Sequence, residues 1–162
     1  MTTASRPAFL VTVLNKERGI YQSVMSALSQ TYPCDIYISD AGSTDNTPAE
    51  IDRALQPPIS FPHHTVTRLH PKVSEVRCGL KTLNEHLMWC FKEIPNEWIF
   101  QCSGDDWSLP DRVAACMKAL ETNAASAIAT PQYHVPEGGR LEGQLPCTAA
   151  EHLNGYLSAQ DG

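Results

Sequence analysis

Short apolar runs along the chain alternate with longer stretches in which apolar residues recur every three or four positions. Phe9 to Leu14 (FLVTVL) is a β-branched run of the kind that forms a buried strand. Asn15 to Gly19 is polar and turn-like. Ile20, Tyr21, Val24, Ala27 and Leu28 then follow at helical spacing, with Pro33 as the stop. Asp35 to Ser39 (DIYIS) reads as a second strand and leads into a dense turn cluster, Asp40 to Asn46 (DAGSTDN). Thr47 as N-cap, Pro48 in the first turn and Glu50 three residues on predict a capping box and a helix, ended by Pro57 and Pro58. His64 to Leu69 alternates as a third strand.

The clearest helical pattern is Ser74 to Ile94, with Val76, Leu80, Leu83, Leu87, Cys90, Phe91 and Ile94 along one face. Gly79 inside it lowers helix propensity by about 1 kcal/mol, so an irregular first turn is expected. Trp98 to Cys102 (WIFQC) is a fourth strand running into Ser103–Gly104–Asp105–Asp106. Ser108 is the predicted cap of a helix that buries Val113, Cys116, Met117 and Leu120, and Ala125 to Thr130 the predicted fifth strand. Residues 136–147 read as loop, and Thr148 with Glu151 as the capping box of a short last helix. Strands alternating with helices imply an α/β fold with a mostly parallel, doubly wound sheet. Ligands of such sheets bind at the carboxyl ends of strands. The polar clusters at 15–19, 40–46 and 103–107 should therefore gather on one edge.

Composition adds exclusions. A chain of 162 residues suits one domain with its own core. A net charge of −6 argues against nucleic acid as a partner, although a metal held by carboxylates can still neutralise a phosphate ligand. The six cysteines include no C-x-x-C pair, and Cys90, Cys102 and Cys116 fall in apolar stretches. Reduced thiols, no zinc site and a cytoplasmic setting are expected. No apolar run has the length of a signal peptide core or of a membrane span.

Asp105 and Asp106 are the candidate metal ligands. Adjacent carboxylates repel unless a cation binds them, and hard oxygen ligands suit Mn²⁺ or Mg²⁺. Taken alone, the pair better fits a loop in which one Asp caps a helix. Two longer patterns change the weighting. Asn15, then Ser26 with Gln30, then Asp40, Ser43, Thr44, Asp45 and Thr47 stand in the order strand, Asn, S-x-x-x-Q helix, strand, D-x-x-S-T-D-x-T. The second is W-I-F-Q-C-S-G-D-D-W-S-L-P-D-R. Together these resemble the family 2 glycosyltransferases over about residues 8–135.

The resemblance implies a GT-A (Rossmann-like) three-layer sandwich, a nucleotide-diphosphate sugar donor with UDP the commonest nucleotide, a divalent metal, and inversion at the anomeric carbon. It assigns residues 1–135 to the donor-binding core and 136–162 to the start of an acceptor region. The acceptor itself (glycan, lipid or protein) and any homo-oligomeric assembly stay open. Asp40 would accept a hydrogen bond from the base, as an acceptor-only group suited to an imide N–H, or else shape its turn. Leu14 and Asn15 would pack the base. Glu17 either reaches the nucleotide or is a solvated loop residue. Asp105 would face the ribose or the metal, and Asp106 the metal bridging both phosphates.

Arg77 or Lys81 would meet the diphosphate, with a solvated position the alternative for Arg77. The family's Arg-Asn pair falls here on Leu83–Asn84, and Ser103 stands where its acidic motif has a first Asp. Trp107 either covers the sugar or anchors the core. His134 and the His63–His64 pair are read as structural or without a role. Glu137, Glu142 and Glu151 lie closer to the metal motif than the family's base, so no base is assigned and little transfer is expected of this chain alone. A nucleotide-sugar-binding module without transfer, or a structural domain of the same fold, are the rival readings. Metal-dependent nucleotide affinity and turnover separate the three.

Overall fold

The computed structural model describes residues 6–56, 61–71, 83–122 and 127–128. The chain divides into two compact units, Met1–Pro110 and Asp111–Gly162.

The first unit holds a four-stranded, wholly parallel sheet. Its strands are β1 (Ala8–Val13), β2 (Asp35–Asp40), β3 (Thr65–Leu69) and β4 (Ile99–Ser103), in the order β3-β2-β1-β4. Every residue of β1 is buried, as expected of a central strand with both faces covered. Alternation then sorts its side chains. Ala8 and Leu10 join Cys90 and Ile94 in a core cluster with Tyr37, Leu87, Trp89 and Ile99, which seats α3 (Leu83–Glu93) on one face. Phe9, Val11 and Val13 point to the opposite face, where Val13 stands next to Ile20 at the start of α1 (Ile20–Leu28). Helix α2 (Thr47–Ala54) packs beside α1. Helices on both faces of a parallel sheet make the three-layer α/β architecture.

Register places the loops. Val13 stands opposite Asp40 and Thr12 opposite Ser103, so the chain leaves β1, β2 and β4 side by side on one edge of the sheet. In the second unit the described residues hold α4 (Arg112–Thr122), with Val113, Cys116, Met117 and Ala119 buried.

Several local expectations change. The first strand is shifted by one residue and leaves Leu14 47% exposed. The capping box at Thr47 does not form. Asn46 holds the N-cap position without a side-chain bond, and Thr47 Oγ1 accepts from Lys16 N instead, at 2.8 Å. The Glu50 carboxylate is engaged by Arg53 rather than by the helix start. Helix α1 ends at Leu28, well before Pro33. Ser108 does not open a helix: α4 begins at Arg112, and Ser108 N donates to Ser26 Oγ. On α3, Phe91 is exposed, whereas His86 is 1% exposed. His64, expected to have no role, joins two segments: its Nδ1 accepts from Cys34 N and its Nε2 donates to Gln30 O. The part of the helix predicted over residues 74–94 that precedes residue 83, Pro57 and Pro58, and everything beyond residue 128 lie outside the described residues. Of the predicted fifth strand only Ala127 and Ile128 are described, and neither is in a strand.

Candidate functional site

The loops after β1 and β2 are joined by hydrogen bonds that use nearly every polar residue of the two motifs. Asn15 adopts a left-handed backbone (φ 51°), which Asn tolerates better than most residues. Its N–H donates to Ser43 Oγ at 2.8 Å, and its Oδ1 accepts from Thr44 N at 2.8 Å. Glu17 N donates to Asp45 Oδ2, and Asn46 N donates to Glu17 Oε2 at 3.0 Å. Asp45 Oδ1 accepts from Thr47 N. Within the second loop, Asp40 Oδ1 accepts from Gly42 N, Ser43 N and Ser43 Oγ, closing an Asx-type turn. Asp40 Oδ2 makes no hydrogen bond among the described residues.

The loop after β4 is held by shape. A Cβ on Gly104 would lie 2.4 Å from Val13 Cγ2, and one on Gly19 would lie 2.9 Å from Asp105 Cα. The two glycines therefore let the acidic loop nest against the end of β1 and the start of α1. Gly104 N donates to Thr12 O, and Ser23 Oγ to Ser103 O at 2.9 Å. Downstream, the S-x-x-x-Q pair of α1 clamps the next turn. Ser26 Oγ accepts from Ser108 N, and Gln30 Nε2 donates to Leu109 O.

Both oxygens of Asp105 are engaged. Ser103 Oγ donates to Oδ1 at 2.6 Å, and Lys16 Nζ lies 2.6 Å from Oδ2. Burial pushes the Asp105 carboxyl up, but the hydrogen bonds from Lys16 and Ser103 and the Lys16 charge outweigh it and hold the group below the usual carboxylate range. The hydrogen bond to Asp105, and then its charge, raise the Lys16 ammonium in turn. Asp106 is exposed, and its carboxylate makes no hydrogen bond or ion pair among the described residues. Asn15, Lys16, Glu17, Arg18, Gly19, Asp45 and Asp105 line a cleft of about 300 Å³.

Asp40, Asp105 and Asp106 thus stand on loops leaving the same sheet edge. Leu14 presents an exposed apolar side chain there, while the Asn15 and Glu17 side chains are spent on the loop junction. Trp107 is 54% exposed, which excludes the core-anchor alternative. Arg77, Lys81, His134, Glu137, Glu142 and Glu151 lie outside the described residues. Two participants escaped the sequence reading. Lys16 stands in the motif region but carried no motif position of its own. His86 hides in an apolar helix face, bonded to Ser39 Oγ at 2.8 Å and stacked on Trp89. Burial lowers its pKa, against the pull of the Asp40 charge.

Asp40 and the acidic pair stand at the strand-end edge of the sheet, and the family of the chain follows from its sequence. The chain belongs to glycosyl transferase family 2, whose sequence model matches residues 8–153. Comparison with curated proteins gives no match. Among solved structures, the fold is similar to that of the mannosyltransferase PcManGT from Pyrobaculum calidifontis, solved in complex with GDP-Man and Mn²⁺. The TM-score is 0.63 at 18% identity over 82% of this chain and 37% of that one. It is also similar to S. aureus TarS, residues 1–349, with a TM-score of 0.59 at 14% identity over 81% of this chain and 38% of that one. A further TarS structure gives a TM-score of 0.60 at 15% identity, over 86% of this chain and 23% of that one. These likenesses establish the GT-A fold. The chain spans less than two-fifths of the length of each of these structures.

Proposed function

We propose that this chain is the donor-binding part of an inverting glycosyltransferase. Its donor is a nucleotide-diphosphate sugar, with UDP as the nucleotide, and its divalent cation, Mn²⁺ or Mg²⁺, sits at Asp105 and Asp106. The observation that carries the reading is the meeting of Asp40, Leu14 and the acidic pair on one sheet edge in a member of this family. Asp40 keeps one carboxylate oxygen for an imide N–H while the other holds the turn. Leu14 offers the base an apolar surface. Two adjacent hard oxygen donors, one already carrying an ammonium at 2.6 Å, fit a hard cation by donor chemistry.

Among the described residues no group of three or more His, Cys, Asp or Glu is gathered. The acidic pair would therefore share its cation with donor phosphates and water. A cation so bound would take up the charge developing on the leaving diphosphate. Trp107, exposed beside the pair, would cover the sugar. Arg77 or Lys81, both outside the described residues, would supply a basic group to the phosphates, and the acceptor and its base would fall to segments beyond those described.

Among the described residues no helix is long and apolar enough to cross a membrane. Among the described residues, Cys34, Cys90, Cys102 and Cys116 are buried and form no disulfide, which supports a reducing, cytoplasmic setting.

The test is calorimetric. UDP and GDP are each titrated into the chain with Mn²⁺ and with EDTA. Metal-dependent binding, tighter for UDP, is the expected result. Equal binding with and without metal overturns the metal-bridged donor, and tighter binding of GDP overturns the choice of uracil.

A further inference from the structure

Lys16 is ion-paired with Asp105 of the acidic pair, and its backbone and side chain live in different circumstances. The backbone is pinned: Lys16 N donates to the buried Thr47 Oγ1, and Lys16 O accepts from Gly19 N and Ile20 N at 3.0 Å each. The side chain is 45% exposed, lines the cleft, and ends on Asp105 Oδ2. An ammonium on a four-carbon stem is a mobile point charge, able to change partner without moving the main chain. An ion pair this exposed adds little net stability, so exchanging its partner costs little.

Charge decides which partner Lys16 takes. In the empty site Asp105 and Asp106 stand together, and Lys16 is the counter-ion that relieves their repulsion. With a divalent cation on the same carboxylates, Lys16 is repelled from Asp105. A diphosphate brought in by that cation is then the strongest anion within reach. The other acids lining the cleft compete less for it, because Asp45 accepts from backbone amides at both oxygens and Glu17 at one.

We infer that Lys16 couples metal and diphosphate binding, sitting on Asp105 in the empty site and on the diphosphate in the loaded one. This rests on the donor-site reading above. Its consequence is specific. Metal alone must compete with Lys16, and metal with nucleotide is rewarded by it. Each ligand therefore raises the affinity of the other by one common factor.

The experiment compares the wild-type chain with Lys16→Met, which keeps the stem and removes the charge, and with Lys16→Arg. Free Mn²⁺ is read by its aqueous EPR signal, with and without UDP. UDP binding is read by calorimetry at saturating Mn²⁺. In K16M, Mn²⁺ alone should bind about 3-fold tighter, because its competitor is gone. UDP with Mn²⁺ should bind about 10-fold weaker, because a charge-assisted hydrogen bond is lost. The mutual enhancement should shrink accordingly, and K16R should keep most of it. A residue that merely supports the loop would weaken both ligands together, and that result overturns the inference, as does unchanged binding of either one. A wild-type chain that binds no UDP even with Mn²⁺ brings down the donor-site reading and this inference with it. A wild-type chain that binds UDP, paired with an indifferent K16M, brings down this inference alone.

Discussion

The loops after β1 and β2 and the loop after β4 leave the same sheet edge but are built on opposite principles. The first two satisfy each other. Asn15, Glu17, Asp45 and Thr47 spend their polar atoms on partner backbone amides, and Asp40 spends one oxygen on its own turn. The third is positioned by missing Cβ atoms and keeps its charge in surplus, with Lys16 on one carboxylate and the other unpaired among the described residues. Much of the D-x-x-S-T-D-x-T motif, polar enough to look chemical, is therefore a joint. The shorter G-D-D motif is where unneutralised charge remains among the described residues. Backbone amides left without partners are costly, so a loop junction can demand as much residue identity as a site does.

The contrast can be broken from either side. The largest effect is expected from Gly104→Ala. The new methyl would meet Val13 Cγ2 at 2.4 Å and Val13 Cβ at 2.7 Å, atoms of a buried β-branched residue that cannot swing away. Overpacking of this kind should cost about 2–3 kcal/mol in chemical denaturation. Pairing it with Val13→Ala should recover part of the loss, and an unchanged midpoint in the single variant would mean that the acidic loop is not seated on β1. Next comes Thr47→Val. The swap keeps the shape but removes the acceptor for Lys16 N at a residue with no exposure. A loss of about 1–2 kcal/mol is expected. A neutral result would show that the two loops stand without their joint.

How much of this was legible beforehand depends on what each feature rests on. The four strands of the sheet and the gathering of three polar clusters on one edge followed from apolar runs and from the strand-end rule. The helix caps did not. Thr47 and Ser108 have the right residue types for caps, but tertiary partners took their hydroxyls: Thr47 Oγ1 accepts from Lys16 N, and Ser108 Oγ donates to Cys102 Sγ. Local pattern cannot rank a cap against a long-range acceptor. His86 was invisible for a similar reason, since a polar residue on a buried stripe is legible only when its partner, Ser39, lies at a known place in the sheet. Asp40 and the acidic pair stand at their expected strand ends. Asn15 Oδ1 and Glu17 Oε2 accept from backbone amides of the neighbouring loop, partners that local sequence pattern does not reveal.

Smaller, but fixed in sign, is the pH dependence carried by His86. Its folded pKa is lowered by burial, so the native state holds it neutral. As pH falls below about 6.5, the unfolded chain takes up a proton that the native chain refuses. The contribution is therefore complete above that pH and is lost progressively as pH drops toward the folded value. Asp105, whose folded pKa is depressed, acts in a separate window. Its contribution is present above the ordinary carboxylate range and is lost at more acid pH. His86→Asn should flatten the melting temperature between pH 7 and pH 5.5 relative to wild type, whatever it does to the absolute value. Parallel curves would mean that His86 is protonated freely in the fold.

The smallest effect on stability, and the sharpest on binding, should come from Asp106→Asn. The substitution keeps size and removes one of two neighbouring negative charges. Among the described residues no hydrogen bond or ion pair of the Asp106 carboxylate is lost, and its backbone bond from Asp106 N to Ser103 O survives. Relief of repulsion with Asp105 should offset any remaining loss, so the melting temperature without ligand should stay within a degree or two of wild type, as for most exposed substitutions. An amide oxygen is a weaker ligand for a hard divalent cation than a carboxylate. The part of the UDP-induced stabilisation that depends on Mn²⁺ should therefore disappear in this variant, by the linkage of binding to unfolding. A variant that melts lower yet keeps its Mn²⁺-dependent shift would invert the comparison, making Asp106 a structural residue and leaving Asp105 as the carboxylate that holds the cation.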